Sequence, residues 1–492
     1  MGRLGALLHG PLRTRHALAT GGAARSAILG SIAVTGSQLA VGALYALASL
    51  YLVRSFSTHE YGRAAFGIYI YTLLMTVAGL GLGASVMAEI ARGRRSDDES
   101  WPTVHTLLWV RVLSVAPVLL VGFGWAAVAQ DVLPAMGSVV ASTAIVAEFL
   151  IWVLAGQLRS RAYAVVIAFQ PASYVALLLV LRVRTAEVGL IALGTALALS
   201  LLLAVAFVGF RARPRIGWPE VALRDLGHAL GVARDAYLIG LLQVGFISIP
   251  IILLGGLGRF AEAAALSIVM ALVRLAPEAL GLAVVSTYFP RLKAVDPLGH
   301  EARALFGTFA RLLAFLAIPA AIGLAVMARP VLGLLFDGRY DDLAPFLAIG
   351  SLLVLLLPAE SLLTWTLVAR SDGRVAMLAM ALRLATVLAA CLALGGTDDR
   401  GSLLLLMVAS AAGVLMSVAI QAVRSSQVAT LPWPALSFAV YGFVAAAAYL
   451  AIRAVTGTAS DAVAVLVTAL ATLPVLGFGA WIFRRPHSRG PS

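Results

Sequence analysis

Apolar residues run through this chain in blocks of about twenty, divided by short clusters of arginine, glycine, proline and acidic residues. A block of that length is what an α-helix needs to cross the hydrocarbon core of a bilayer. The blocks lie at roughly 27–53, 64–90, 105–129, 133–157, 162–181, 187–210, 235–257, 261–289, 305–336, 344–369, 375–395, 402–423, 434–455 and 461–483. They predict about fourteen spanning helices, with both termini on one side. A spanning segment must satisfy its own backbone hydrogen bonds, so the pattern reads as an all-α polytopic membrane protein. The longest break between blocks, 211–234, holds Pro214, Trp218 and Pro219 and then apolar residues at helical spacing: Val221, Leu223, Leu226, Leu230 and Val232. This is read as a cytoplasmic connector, either a short interfacial helix or a polar linker.

Composition agrees. The chain has 492 residues, 61% hydrophobic and 12% charged, against about 25% charged in soluble proteins. The net charge of +13 does not point to nucleic acid, because the basic residues lie scattered between the apolar blocks. With the N-terminus placed inside, the inner segments hold roughly three times as many Lys and Arg as the outer ones, the asymmetry that orients membrane proteins. Asp131, Asp337, Asp341, Asp342, Asp398 and Asp399 fall in outer loops. The expected location is therefore the cytoplasmic (inner) membrane, multi-pass, with both termini cytoplasmic. Residues 1–25, with Arg3, Arg13, Arg15 and Arg25, read as a basic cytoplasmic arm without the compact apolar core of a signal peptide.

Several chemistries lack their sequence signature. The one cysteine, Cys391, sits in an apolar block, and no Cys/His metal pattern occurs. No Gly-Lys-Ser/Thr phosphate loop is present, so nucleotide hydrolysis by this chain is not expected, and no cofactor is called for. The outer loops are short, and the first offers only His59 and Glu60 as reactive groups, which leaves little room for an enzyme such as a membrane glycan polymerase.

Weak internal repetition divides the chain into an N-terminal six-helix lobe (26–210), the connector, a C-terminal six-helix lobe (235–425), and a further helix pair with a basic tail (426–492). HEYGRAAFGIYIYTLL before the second block is similar to GRFAEAAALSIVMALV before the eighth, and Arg111 with Pro117 is similar to Arg311 with Pro319. Repeats of this kind are a common plan of transporters, with the substrate site between them.

Residues 26–95 carry Glu60-Tyr61-Gly62, then Gly79-Leu80-Gly81-Leu82-Gly83, then Glu89-Ile90-Ala91-Arg92. Further on come Arg274, Tyr288-Phe289-Pro290-Arg291-Leu292 and LLFDGRYDDLAPFLAIGSLLVLL over 334–356. This pattern, covering about 26–425, resembles the polysaccharide transporter family, the lipid-linked oligosaccharide flippases of the multidrug/oligosaccharidyl-lipid/polysaccharide exporter superfamily. The resemblance implies two six-helix lobes around a central cavity open to alternate sides. The implied substrate is a polyprenyl-diphosphate-linked glycan moved to the outer leaflet, with membrane lipids and other polysaccharide-assembly proteins as partners and no nucleic acid. A drug/cation antiporter of the same superfamily and a non-transporting scaffold are the alternatives.

An anionic lipid headgroup calls for positive charge within the membrane, and guanidinium binds phosphate as a planar fork. The blocks hold Arg111, Arg274, Arg329 and Arg383. Arg274 shares a helix face with Glu278 at i+4. Arg111 and Arg383 lie nearer the cytoplasmic ends of their blocks, where a long side chain can snorkel to the interface. Arg329 reads as an interface anchor. Substrate-cavity candidates are thus Arg274, Arg111, Arg383, Gln38 and Gln243. Glu278, Glu148 and Glu360 are candidates for a coupling-ion site or for charge partners of neighbouring arginines.

Overall fold

The computed structural model describes residues 40–83, 101–157, 160–209, 223–284, 288–293, 295–296, 298–396 and 399–426, together with Ser37, Val86 and Ile90. All regular structure among the described residues is helical, and apart from short turns at Phe289–Lys293, Asp341–Leu343 and Ala393–Gly396 it comprises α1 (Ala40–Ser55), α2 (Thr58–Gly79), α3 (Trp101–Ala129), α4 (Leu133–Gly156), α5 (Ser160–Val180), α6 (Ala186–Gly209), α7 (Leu223–Gly256), α8 (Phe260–Ala283), α9 (His300–Val326), α10 (Ala328–Phe336), α11 (Ala344–Ala369), α12 (Gly373–Leu392) and α13 (Asp399–Ser425). Ten of these, α3 to α9 and α11 to α13, are long and apolar enough to cross a membrane. The protein is therefore a multi-pass membrane protein. The arm 1–25, Gln38, Glu89 and the expected last helix pair lie outside the described residues.

Three predicted elements differ in their limits. The second block does not run unbroken to 90. Leu80 and Gly81 both adopt left-handed backbone, with φ of 49° and 65°, and end α2 at Gly79. A glycine at the second of these positions lowers the steric cost of that turn. The ninth block breaks at Met327, because Pro330 has no N–H to continue the ladder and belongs in the first turn of a new helix, α10. Residues 223–234 of the expected connector are the start of α7, continuous with the seventh span.

The ends of α2 and α4 are set locally. Ser57 precedes α2 with extended backbone and its Oγ accepts from the Glu60 N–H at 3.1 Å, with Glu60 in the acidic position of a capping box. Pro134 stands in the first turn of α4, and Asp131 accepts from Leu133 N–H at 3.0 Å.

The helices gather into two sets. In the first, α4 packs against α2, α3 and α6, with α5 on α6. In the second, α11 packs against α8, α9 and α13, while α12 lies between α13 and α7. The sets meet through α2, which packs against both α7 and α8. Gly62 makes this contact possible: a Cβ there would lie 1.7 Å from the Phe260 carbonyl oxygen. The two segments with similar sequence, around Gly62 and around Phe260, thus touch each other. Towards the other ends of α2 and α8, Val77, Leu275 and Glu278 are exposed.

Candidate functional site

Among the described residues, each helix set buries an arginine–glutamate pair between two neighbouring helices. In the first, Arg111 of α3 donates from Nη1 to Glu148 Oε2 of α4 at 2.9 Å and to the Ile145 carbonyl at 3.4 Å. The bare Cα of Gly79 faces the guanidinium. The Arg111 side chain is 2% exposed and that of Glu148 28%, so this pair opens to space on its acidic side. In the second set, Arg383 of α12 donates to Glu360 of α11, and both are buried. The Phe246 ring of α7 covers the Arg383 guanidinium at 4.2 Å, a cation–π contact strengthened by the absence of water.

The snorkelling expected of Arg111 and Arg383 does not occur. Both turn inward, because a carboxylate on the adjacent helix stands within reach and an unpaired charge in this setting is costly. Arg274 and Glu278 pair along α8, as their spacing suggests. Arg274 is half-buried and Glu278 exposed. Gln243 is exposed on α7, apart from both buried pairs. Arg329 forms an ion pair with Asp341 at 3.4 Å at the edge of the bundle.

Glu148 and Glu360 hold corresponding places. Each follows an alanine, in the helix that opens with proline at its second residue, and each is trailed by an Arg-Ser pair, Arg159-Ser160 and Arg370-Ser371. That repeat was the signal available for pairing the two carboxylates. Their arginines come from different neighbours: the preceding helix in one set and the following helix in the other. Arg311, the sequence counterpart of Arg111, bonds instead to the Gly307 carbonyl of its own helix at 3.1 Å.

Arg54, Arg63, Arg259 and Arg339 lie in the outer breaks between apolar blocks, where sequence alone marks them only as loop charges. Arg63 joins Glu60, Asp131 and Glu187 at 3.3, 3.6 and 2.6 Å, tying together the starts of α2, α4 and α6. Arg259 joins Glu262 at 2.6 Å and Ser402 Oγ at 2.7 Å. Arg54 donates to the Leu335 and Leu334 carbonyls at 2.7 and 3.1 Å, and Arg339 to the Phe56 and Val53 carbonyls at 2.7 and 3.3 Å. This last arrangement binds the α1–α2 corner of the first set to the α10–α11 corner of the second.

An all-helical bundle with two sets in contact through α2, α7 and α8, and with paired charges inside each, is the architecture of this multi-pass membrane protein. Comparison with solved structures gives the fold. The chain is similar to the lipid II flippase MurJ in an inward closed conformation, at 12% identity and a TM-score of 0.72, over 94% of this chain and 100% of that one. It is similar to a eukaryotic MATE transporter, at 15% identity and a TM-score of 0.56, over 85% and 99% of the two chains. It is also similar to an outward-facing multidrug resistance MATE family transporter of the MOP superfamily, at 14% identity and a TM-score of 0.54, over 82% and 96%. No curated protein matches the sequence. Residues 51–345 match the family model described as polysaccharide biosynthesis protein, and the chain belongs to that family.

Proposed function

We propose that this protein flips a polyprenyl-diphosphate-linked oligosaccharide, or a related lipid-linked glycan, across the cytoplasmic membrane for cell-surface polysaccharide biosynthesis. In this reading fourteen spans place both termini in the cytoplasm, and two six-helix lobes rock about their contact to expose a central cavity to each side in turn. Arg274 is the guanidinium that meets the diphosphate: it is half-buried, and its partner Glu278 is exposed and on the same helix, so phosphate oxygens can replace it. Arg111 and Arg383 hold α3 to α4 and α11 to α12 and are not spent on substrate. Glu148, the open member of its pair, is the place for a coupling proton or ion.

The observation that carries this reading over a cation antiporter is the pairing itself. Glu148, Glu278 and Glu360 each stand against an arginine, which leaves no bare carboxylate among them for a cationic drug. Family membership supports the glycan. The test is reconstitution in liposomes with a labelled polyprenyl-diphosphate sugar, following its appearance in the outer leaflet. Wild type should move it and Arg274→Ala should not, with both proteins folded. Movement of a cationic dye in place of the lipid would overturn the proposal.

A further inference from the structure

A cavity of about 540 Å³ opens where the start of α2, the α3–α4 turn and the α7–α8 turn meet. It lies outside both buried charge pairs and is lined by residues of both helix sets, among them Arg63, Phe66, Gln130, Asp131, Gly256 and Phe260. Its size falls in the range of small-ligand sites, roughly 300–1,000 Å³.

The lining has two characters. Half-buried Phe260 fronts the cavity, backed edge-on at 6.1 Å by the buried Phe66, which packs in turn on Trp125 at 5.7 Å; Phe260 with Phe66 behind it makes an aromatic wall. Gly256 leaves its backbone bare beside that wall, with only Trp125 near the place of a Cβ, at 3.6 Å. The facing rim offers the Gln130 amide, the Asp131 carboxylate and the Arg63 guanidinium. Arg63 is already shared by three carboxylates, Glu60, Asp131 and Glu187. Glu60 and Glu187 lie outside the lining and engage Arg63 from behind, and Asp131 is the rim's other charged group, so a phosphate or carboxylate ligand meets no spare cation here. What fits is an uncharged ligand with an apolar face for the aromatic wall and hydroxyl groups for the rim.

We infer that this cavity is a saccharide-binding site that takes a neutral sugar unit of the carried glycan. The assignment to the carried glycan rests on the flippase reading. Phe260 and Arg274 are both on α8, and helical rise separates them by about 21 Å. The diphosphate at Arg274 and a sugar at this cavity are thus two ends of one extended substrate, sorted by charge.

The test uses the full chain in lipid nanodiscs and soluble probes: glucose, N-acetylglucosamine and glucuronate, with binding read by saturation-transfer NMR. The neutral sugars should bind at least tenfold more tightly than glucuronate. Asp131→Asn should narrow that gap. Gly256→Phe should fill the cavity and weaken neutral-sugar binding at least tenfold, while Gly256→Ala, whose Cβ meets only an ordinary contact, should keep it. Absence of binding, equal binding of glucuronate, or binding that survives Gly256→Phe overturns the site. Flipping of lipid-linked glycan is measured beside it. Flipping without saccharide binding removes this site and keeps the flippase reading. Saccharide binding with the predicted selectivity but without flipping keeps the site and removes that reading.

Discussion

Arg54 and Arg339 cap each other's helices. Each guanidinium sits on the carbonyl end of the helix that the other terminates, Arg54 on α10 and Arg339 on α1. A helix C-terminus carries partial negative charge and unpaired carbonyls, so a cation there is stabilising by about 0.3–1 kcal/mol. Because the two corners belong to different helix sets, either arginine holds both. The single substitutions Arg54→Ala and Arg339→Ala should therefore be coupled. A double-mutant cycle on thermal unfolding in detergent should give an interaction of about 0.5–1 kcal/mol. Additivity to within about 0.3 kcal/mol would mean that the two caps act independently.

The Arg383–Glu360 pair should respond sharply to loss of one member. Glu360→Gln leaves a guanidinium buried under Phe246 with no counter-charge, at a cost of about 3–5 kcal/mol. Replacing both, Arg383→Met with Glu360→Met, should recover most of that stability. Glu148→Gln should be milder, because Glu148 is 28% exposed and water screens what remains. Unfolding midpoints of the four proteins decide the order. A Glu148→Gln effect as large as that of Glu360→Gln would contradict it.

Gly62 and Gly124 should behave oppositely when changed to alanine. At Gly62 the new carbon would overlap the Phe260 carbonyl, so α2 and α8 must part; overpacking of this kind costs about 1–3 kcal/mol or more. At Gly124, in α3, nothing lies within 4 Å of the Cβ position, and alanine should stabilise the helix by about 0.5–1 kcal/mol. Thermal unfolding of both variants in one detergent tests the pair; a neutral Gly62→Ala would show that the helices separate freely.

Membrane orientation is open to direct chemistry. Cys391 is buried, so the native background for thiol reagents should be low. Asp342→Cys and His300→Cys each place a thiol at an exposed position. With the N-terminus inside, an impermeant maleimide added to intact cells should label the first and spare the second. The reverse pattern would invert the topology.

How much of this was legible depended on the distance between partners in the chain. Helix existence followed from apolar block length, since spans α3 to α8 needed no information beyond their own residues. The α2 break at Leu80-Gly81 and the α9–α10 break before Pro330 were marked by glycine and proline, yet apolar continuity on both sides hid them. The Arg274–Glu278 pair was readable because helical geometry alone fixes an i+4 neighbour. Arg111 with Glu148 and Arg383 with Glu360 were readable as charges needing partners, while the choice of partner required the packing of adjacent helices. The Arg54–Arg339 relation joins positions 285 residues apart, and its acceptors are backbone carbonyls, which every residue possesses and no sequence pattern singles out.

The contact at Gly62 also sets a mechanical ratio. Backbone rests on backbone there, with no side chain to compress or slide, so the point is a fulcrum and α2 is the lever arm. The helix has 22 residues, about 33 Å of length at the standard rise. The arm from Gly62 to Gly79 is about 26 Å, so a tilt of about 10° at the fulcrum swings the far end by about 4.5 Å. Movement at Gly62 is then near zero while Val77 shifts by several ångströms, so rocking about this contact acts mainly at the Val77 end of α2.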